Sequence, residues 1–453
     1  MTVQAETTSS PEIAAAQARF GPGYRRWLLF MLVLIYTSNF VDRQIFTTLI
    51  QPIKKDLHLT DTQLGYLSGL TFAVFYTFLG IPIARLLERK SRIVVMTLCI
   101  TVWSIMTGAC GVAQNFIQLA IARVGVGVGE AGCLPAANAL VSDHFPKEKR
   151  TTALGVFTLG IPIGSMIGAM AGGWIAQHLN WRSAFFMVGA PGLVIALLTV
   201  LTLREPPRGL ADGGKAPPTA PPLTAVIKRL LSRPTALWIC VAAGVSAAGT
   251  YGTITFAAAY FIRRFGFDFT HAGLAAGLIS GVGAGVSVIS GGLLTDRLAK
   301  TNILAFAWVP IIGLVLAVPL YLIGFTRPDA GMALVFLIAA AALQQLYLAP
   351  TFAIANNVAE PRMRATSVSL MSFVWNFIGL GFGPVIVGAL SDRMAKALPA
   401  GRSDYLGLCR KAACADASAT GLQYALIGVT GMFVLGALLY GVASLRMKRD
   451  LAD

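Results

Sequence analysis

Five side chains of this sequence stand where ionisable and amide groups are rare. Asn39, Asp42 and Arg43 lie in one long apolar run, and Arg123 and Glu130 lie in another. Ionisable groups inside such runs are costly, so each is a functional candidate by default. Asn39 precedes Asp42 and Arg43 by three and four residues, a spacing that puts side chains on one helix face. Arg123 and Glu130 are seven apart, two turns along one face, with Gly127 between them. This arrangement suits a carboxylate that exchanges a proton while an arginine competes for it. Burial favours the neutral acid and a guanidinium favours the carboxylate, so a movement that changes their separation changes proton affinity. Asp42, Glu130, Arg123 and Arg43 are therefore the expected proton-coupling set, with the proton as coupling ion and no cofactor. The competing reading is a static buried pair that fixes helix packing.

A second group is polar without charge: Tyr251, Thr253, Gln344, Gln345, Tyr347, Asn356, Trp375 and Asn376. Ordinary interhelical hydrogen bonding accounts for any one of them. With Asn39, the set of Tyr251, Thr253, Gln344, Tyr347, Asn356, Trp375 and Asn376 sketches a cavity with one charged wall and one apolar wall carrying amide and aromatic groups. Such a cavity suits an amphiphile better than a sugar or an ion.

Other chemistries find little support. His58, His144, His178 and His271 are scattered over separate loops or helix ends, so no nucleophile–base pair or metal set forms. Gly127 to Gly132 matches G-x-G-x-x-G but lies within an apolar run and follows no strand, so it is no dinucleotide site. Gly214-Lys215 belongs to no phosphate-binding loop. Cys99, Cys110, Cys133 and Cys240 read as small packing residues. Cys409 and Cys414 share a loop in which a disulfide is expected if it faces an oxidising compartment.

These groups need elements to hold them. The chain has 453 residues, 56% hydrophobic and only 12% charged, about half the charge of a soluble domain. Its apolar runs reach roughly 20 residues, enough for a helix to cross a bilayer. Twelve spans are expected, roughly at 26–50, 62–86, 93–112, 115–141, 151–177, 183–203, 236–262, 270–295, 303–325, 330–357, 363–390 and 421–446. They divide into an N-terminal tail (1–25), a six-helix half (26–203), a linker (204–235), a second six-helix half (236–446) and a short tail (447–453). The linker is rich in proline, with Pro206, Pro207, Pro217, Pro218, Pro221 and Pro222. Pro82, Pro135, Pro162, Pro310 and Pro350 lie in or near spans, where each can kink a helix. Glycines at Gly160, Gly164, Gly168 and Gly172 share a face and permit close helix approach.

The halves repeat one another. Pro146, Thr151, Gly164, Gly168 and Gly173 recur as Pro361, Thr366, Gly379, Gly383 and Gly388 at an offset of 215. Gly80 and Arg85 recur as Gly292 and Arg297 at an offset of 212. Parallel repeats of this kind place a substrate site between two halves. Most of the Lys and Arg fall on the side that holds both termini, notably Arg85, Arg89, Lys90, Arg92, Lys147, Lys149 and Arg150. Both termini are therefore expected in the cytoplasm, in a cell inner (plasma) membrane.

At this point a family resemblance stands out. Gly80-Ile-Pro-Ile-Ala-Arg85, Gly292-Leu-Leu-Thr-Asp296-Arg297 and Gly388-Ala-Leu-Ser-Asp392-Arg393 resemble the inter-helix signature of the major facilitator superfamily. Arg123 through Gly127 resembles its arginine-glycine motif. Asn39-Phe-Val-Asp42-Arg43, Val128-Gly129-Glu130-Ala131 and Arg204-Glu205-Pro206-Pro207-Arg208-Gly209 look like the Spinster family. The resemblance implies a proton-linked carrier working by alternating access, associated with lysophospholipids and sphingosine-type lipids. It implies a cytoplasmic gate at Gly80, Arg85, Gly292, Asp296 and Arg297. Ala84 stands where the motif usually has Asp, and Glu88 is the expected substitute.

The net charge of +16 then reflects loop lysines and arginines, not a nucleic-acid partner. The expected molecule is an all-α membrane protein and a monomer, not an enzyme. Its expected substrate is a membrane lipid, an amphiphilic small molecule or a hydrophobic organic anion, with a drug or organic-anion exporter as the alternative.

Overall fold

The computed structural model describes residues 19–208, 210–212, 223–357, 364–398 and 412–452, some side chains within them excepted. Among the described residues, twelve helices are long and apolar enough to cross a membrane. They are α1 (Pro22–Thr48), α2 (Asp61–Leu87), α3 (Arg92–Val112), α4 (Phe116–His144), α5 (Thr152–His178), α6 (Trp181–Thr202), α7 (Pro234–Phe265), α8 (Phe269–Ala299), α9 (Ala305–Thr326), α10 (Ala330–Ile354), α11 (Thr366–Ala397) and α12 (Ala415–Asp450). No strand occurs among the described residues. Large apolar residues such as Ile117, Leu201 and Leu445 face outward. Apolar surface on both the inside and the outside is what a bilayer solvent requires.

Several spans begin at a side-chain cap. Thr60, Ser91, Asn115, Asn180, Asp268 and Asp329 each accept a hydrogen bond from the amide three residues on. Such caps satisfy amides that a helix start would otherwise leave bare. Among the described residues, seven spans are interrupted, α5 at Leu159 and α12 at Thr430 by a single turn residue each. α2 breaks at Gly69 and α4 at Ala131–Gly132. α8 and α11 widen into π-helical segments at Leu278–Gly283 and Phe377–Phe382, and α10 tightens into a 3₁₀ turn at Gln345–Tyr347. Interruptions of this kind cluster at functional sites. α11 and α12 also run past their expected limits, and the added turns carry Asp392, which accepts from the start of α2, and Asp450, which accepts from the Thr235 amide at 2.9 Å.

With an even number of spans, both ends of the bundle lie on one side, here called the near side; the opposite side is the far side. The glycine stripe of α5 packs on α1, where a Cβ on Gly164 would collide with the Thr37 carbonyl. That contact fixes one face of α1 and turns its polar face toward α2, α3 and α4. On the near side, the segment after α6 folds back onto the first half, and a short helix, Leu223–Leu231, precedes α7.

Candidate functional site

The charged cluster assembles around α1. Glu130 and Asp42 are each 1% exposed. Arg43 Nε donates to Glu130 Oε2 at 2.6 Å. The other oxygen of Glu130 has no protein partner. The guanidinium of Arg43 stands over the rings of Phe40, Phe72 and Tyr76, at 5.1, 4.8 and 4.5 Å from their centroids. Thr107 of α3 donates to Asp42 Oδ2 at 2.5 Å, and Asp42 Oδ1 is unpartnered. The buried Asn39 amide lies beside Glu130 but makes no hydrogen bond of good geometry.

The expected partnership of Arg123 with Glu130 is corrected. Seven helical residues rise about 10.5 Å, too far for a contact pair, and Arg43 from α1 takes the position. Arg123 instead lies over Phe46 and Phe72, at 4.5 and 5.2 Å, and donates to the Leu67 carbonyl at 3.3 Å. Its charge still reaches both carboxylates through space. The glycines of α4 make this possible. A Cβ on Gly129 would stand 2.5 Å from the backbone nitrogen of Trp103, so glycine there lets α4 close on α3. The G-x-G-x-x-G run is a packing device.

Tyr251 of α7 is the group that the second half brings to this cluster. It lies within electrostatic reach of Arg43, Tyr76 and Tyr36, and also of Tyr347. Tyr347 meets Trp375 edge-on at 6.4 Å. Gln344 is fully buried with neither amide atom partnered, and the indole nitrogen of Trp375 is also unpartnered. Two expected cavity residues are placed differently. Thr253 is two residues from Tyr251, about 200° around the helix. It bonds the Gly249 carbonyl and lines a small apolar cavity with Tyr260 and Tyr321 inside the second half. Asn376 donates to the Ser372 carbonyl of its own helix at 2.9 Å.

Of the expected near-side gate, Arg85 and Arg297 are exposed, while a Cβ placed on Gly80 or Gly292 would stand 3.9 Å from Ala131 or Ala349, in ordinary contact. Cys409 and the side chains of Glu88, Asp296, Asn356 and Cys414 lie outside the described residues. Among the described residues, the near-side charge network is built on Glu205. Glu205 accepts from Ser91 Oγ at 2.6 Å, Arg92 Nε at 2.7 Å and the Ile93 amide at 3.1 Å. Arg92 also pairs with Asp143 and donates to the Pro206 carbonyl at 2.8 Å. Arg208 donates to the Leu87 carbonyl at 3.2 Å. Burial pushes the Glu205 carboxyl up, but these donors outweigh it and hold it below the usual glutamate range. The Arg204–Arg208 stretch therefore ties together the near-side ends of α2, α3, α4 and α6.

The far side holds a second polar cluster, joining Asp61, which no motif of the sequence marks, to Asp392 of the third signature copy. Asp61 is fully buried. It receives two bonds from Arg263, at 2.6 and 2.7 Å, one from Lys54 at 2.7 Å and one from Ser391 at 2.7 Å. Asp392 accepts from the amides of Asp61 and Thr62 at 3.1 and 2.8 Å, and from the Thr62 hydroxyl at 2.5 Å. Lys54, Asp61 and Thr62 belong to the first half, and Arg263, Ser391 and Asp392 to the second. Burial and the neighbouring Arg263 hold the Lys54 ammonium below the usual lysine range, despite Asp61. Packing between the halves concentrates on this side: the far-side half of α2 lies on α11, and α5 lies on α8. No comparable packing joins the near-side ends of α4 and α5 to those of α10 and α11 among the described residues.

Comparison with known proteins agrees with this architecture. Residues 32–384 match the family model described as Major Facilitator Superfamily. An "MFS-type efflux pump" of Mycolicibacterium smegmatis is 33% identical over 96% of each chain. "Protein spinster homolog 1" of Xenopus laevis is 26% identical over 95% of this chain and 83% of its own. The crystal structure of a bacterial homolog to the human lysosomal transporter Spinster, in an inward-facing and unoccupied conformation, superposes with a TM-score of 0.87. It is 32% identical and covers 95% of this chain and 99% of its own. The twelve spans, the motifs and these likenesses lead to one assignment: the chain belongs to the major facilitator superfamily, as a membrane transporter that resembles the Spinster proteins.

Proposed function

We propose that this transporter couples proton movement to an amphiphilic substrate bearing an anionic group, a lysophospholipid or sphingosine-phosphate-like lipid or a hydrophobic organic anion. It would act as a monomer in the inner (plasma) membrane with both termini cytoplasmic, which makes the near side cytoplasmic and the described conformation inward-facing. The observation that carries this reading is the Arg43–Glu130 pair, a buried ion pair across two helices with one carboxylate oxygen unpartnered. Protonating Glu130 would strip Arg43 of its counter-charge. The guanidinium, framed by Phe40, Phe72 and Tyr76, would then be free to hold an anionic head group. Its aromatic frame suits the apolar body of the same molecule. Proton and substrate are thereby linked through one arginine, with Asp42 as the second buried carboxylate of the proton path and Arg123 setting the local field. Asn39, Gln344, Tyr347 and Trp375 supply polar groups that a substrate could satisfy, and Tyr251 joins the two halves at the cluster.

A second reading, export of drugs or other organic anions, draws on the likeness to the mycobacterial efflux pump. Uptake by proteoliposomes, screened with both substrate classes with and without an imposed pH gradient, separates the two. Gradient-stimulated movement of lysolipids supports the first reading. Movement of drugs alone supports the second, and movement that ignores the gradient removes proton coupling from both.

A further inference from the structure

The duplication that relates the halves also relates the two seams at which they meet. On one seam, a Cβ on Gly388 of α11 would collide with the Asp61 carbonyl, and one on Gly65 of α2 with the Pro384 carbonyl. On the other, a Cβ on Gly173 of α5 would collide with the Phe269 carbonyl, and one on Gly273 of α8 with the Ala169 carbonyl. Gly173 and Gly388 are related by the offset of 215, and so are Ala169 and Pro384. Their partners Asp61 and Gly65 correspond to Phe269 and Gly273 at an offset of 208. The two seams are thus the same contact made twice.

Each seam ends in a helix cap supplied by the opposite half. Asp392 accepts from the first two amides of α2, while Thr60 of the chain's own cap takes the third. Gln177 Oε1 accepts from the first amide of α8, Phe269, at 3.1 Å, while Asp268 takes the third. Gln177 and Asp392 are again related by the offset of 215. A helix start leaves bare amides and a partial positive charge, which a carboxylate satisfies better than a neutral amide. The Asp392 cap is also welded to the Asp61–Arg263–Lys54 cluster, and the Gln177 cap has no such support among the hydrogen bonds described.

We propose that these two quasi-equivalent cross-half caps form the far-side gate, with Asp392 as the principal bolt and Gln177 as the weaker one. Asp392 and Gln177 act as positioning residues, since neither touches the charged cluster. The proposal rests on the reading that the halves rock against each other, but not on what is carried or on proton coupling.

Hydrogen–deuterium exchange of the purified full chain, which needs no substrate, tests it. Asp392→Asn keeps the shape of the side chain and removes its charge. Exchange at the start of α2 (61–66) should quicken about ten-fold or more, since charge-assisted bonds are lost. Exchange at the start of α8 (269–274) should quicken with it, because opening one seam of two rigid halves opens the other. Gln177→Ala should quicken both in the same sense but less. The near-side start of α3 (93–98) should not change in either variant. Faster exchange confined to the altered seam would mean local fraying and would overturn the gate, as would unchanged exchange at both. If Asp392→Asn loses protection throughout, including α3, the milder Gln177→Ala decides by the same criteria.

Discussion

At the residue scale, Arg43 is the hinge of the proposed chemistry, because it is shared between a carboxylate and three aromatic rings. Removing one member of a buried ion pair leaves the other uncompensated, at a cost on the order of 3–5 kcal/mol. Arg43→Met should therefore lower the thermal stability of the purified protein markedly. Adding Glu130→Gln should restore most of the loss, since no buried charge is then left alone. Thermal unfolding of the two single variants and the double variant gives the comparison. Equal stability of Arg43→Met and the double variant would mean that Glu130 is compensated elsewhere. The sequence made Asp42, Arg43, Arg123 and Glu130 legible, because an ionisable residue in a long apolar run stands out. It did not reveal which arginine meets Glu130, because helix spacing orders residues within one span and says nothing of the facing one. Thr253 was misplaced for a related reason: a polar residue two positions from Tyr251 faces the other way.

At the element scale, Glu205 shows what a motif of proline and charge accomplishes. It caps α3 and orients Arg92 toward Asp143, joining the near-side ends of four spans. Its carboxyl is held below the usual glutamate range. A group whose folded pKa is depressed adds stability above its unfolded pKa and loses that contribution as pH falls through the folded one. Glu205→Gln should thus be less stable than the parent at neutral pH, by on the order of 1 kcal/mol in a partly solvated site, and unfold at a lower temperature. The gap should close once pH falls below the usual glutamate range. A gap independent of pH would show that the carboxylate charge contributes nothing. The Arg-Glu-Pro-Pro-Arg-Gly stretch was visible in sequence as a family signature, but its partners lie more than a hundred residues away, and no local pattern points to them. The twelve spans, in contrast, were legible from hydropathy alone, since satisfying the backbone in lipid leaves a helix little alternative. Helix ends were the part least legible. Asp61 looks like an ordinary surface charge in sequence and Asp392 stands out only as part of a signature, yet the two are buried against each other's helices in the structure.

At the scale of the whole molecule, two six-helix halves meet closely on the far side, and the charged cluster of the first half lies within electrostatic reach of Tyr251 of the second. The orientation in the membrane is the first thing to establish. A cysteine placed at Ala216, in the linker, should react with an impermeant reagent only after cells are opened, as loop charge requires. Labelling of intact cells would invert the proposed topology and make the described state outward-facing.

The central claim is that Glu130 and Asp42 carry the coupling proton. Both carboxylates are buried, and the amide variants Glu130→Gln and Asp42→Asn are nearly isosteric, so folded protein is expected from each. The deciding measurement is uptake by proteoliposomes over a series of imposed pH gradients, with thermal stability followed in parallel. Proton coupling through these residues predicts that the parent responds to the gradient and that each variant loses the response while remaining folded. Wild-type gradient dependence in both variants, with only their stability changed, would make the cluster a static packing pair and contradict the mechanism.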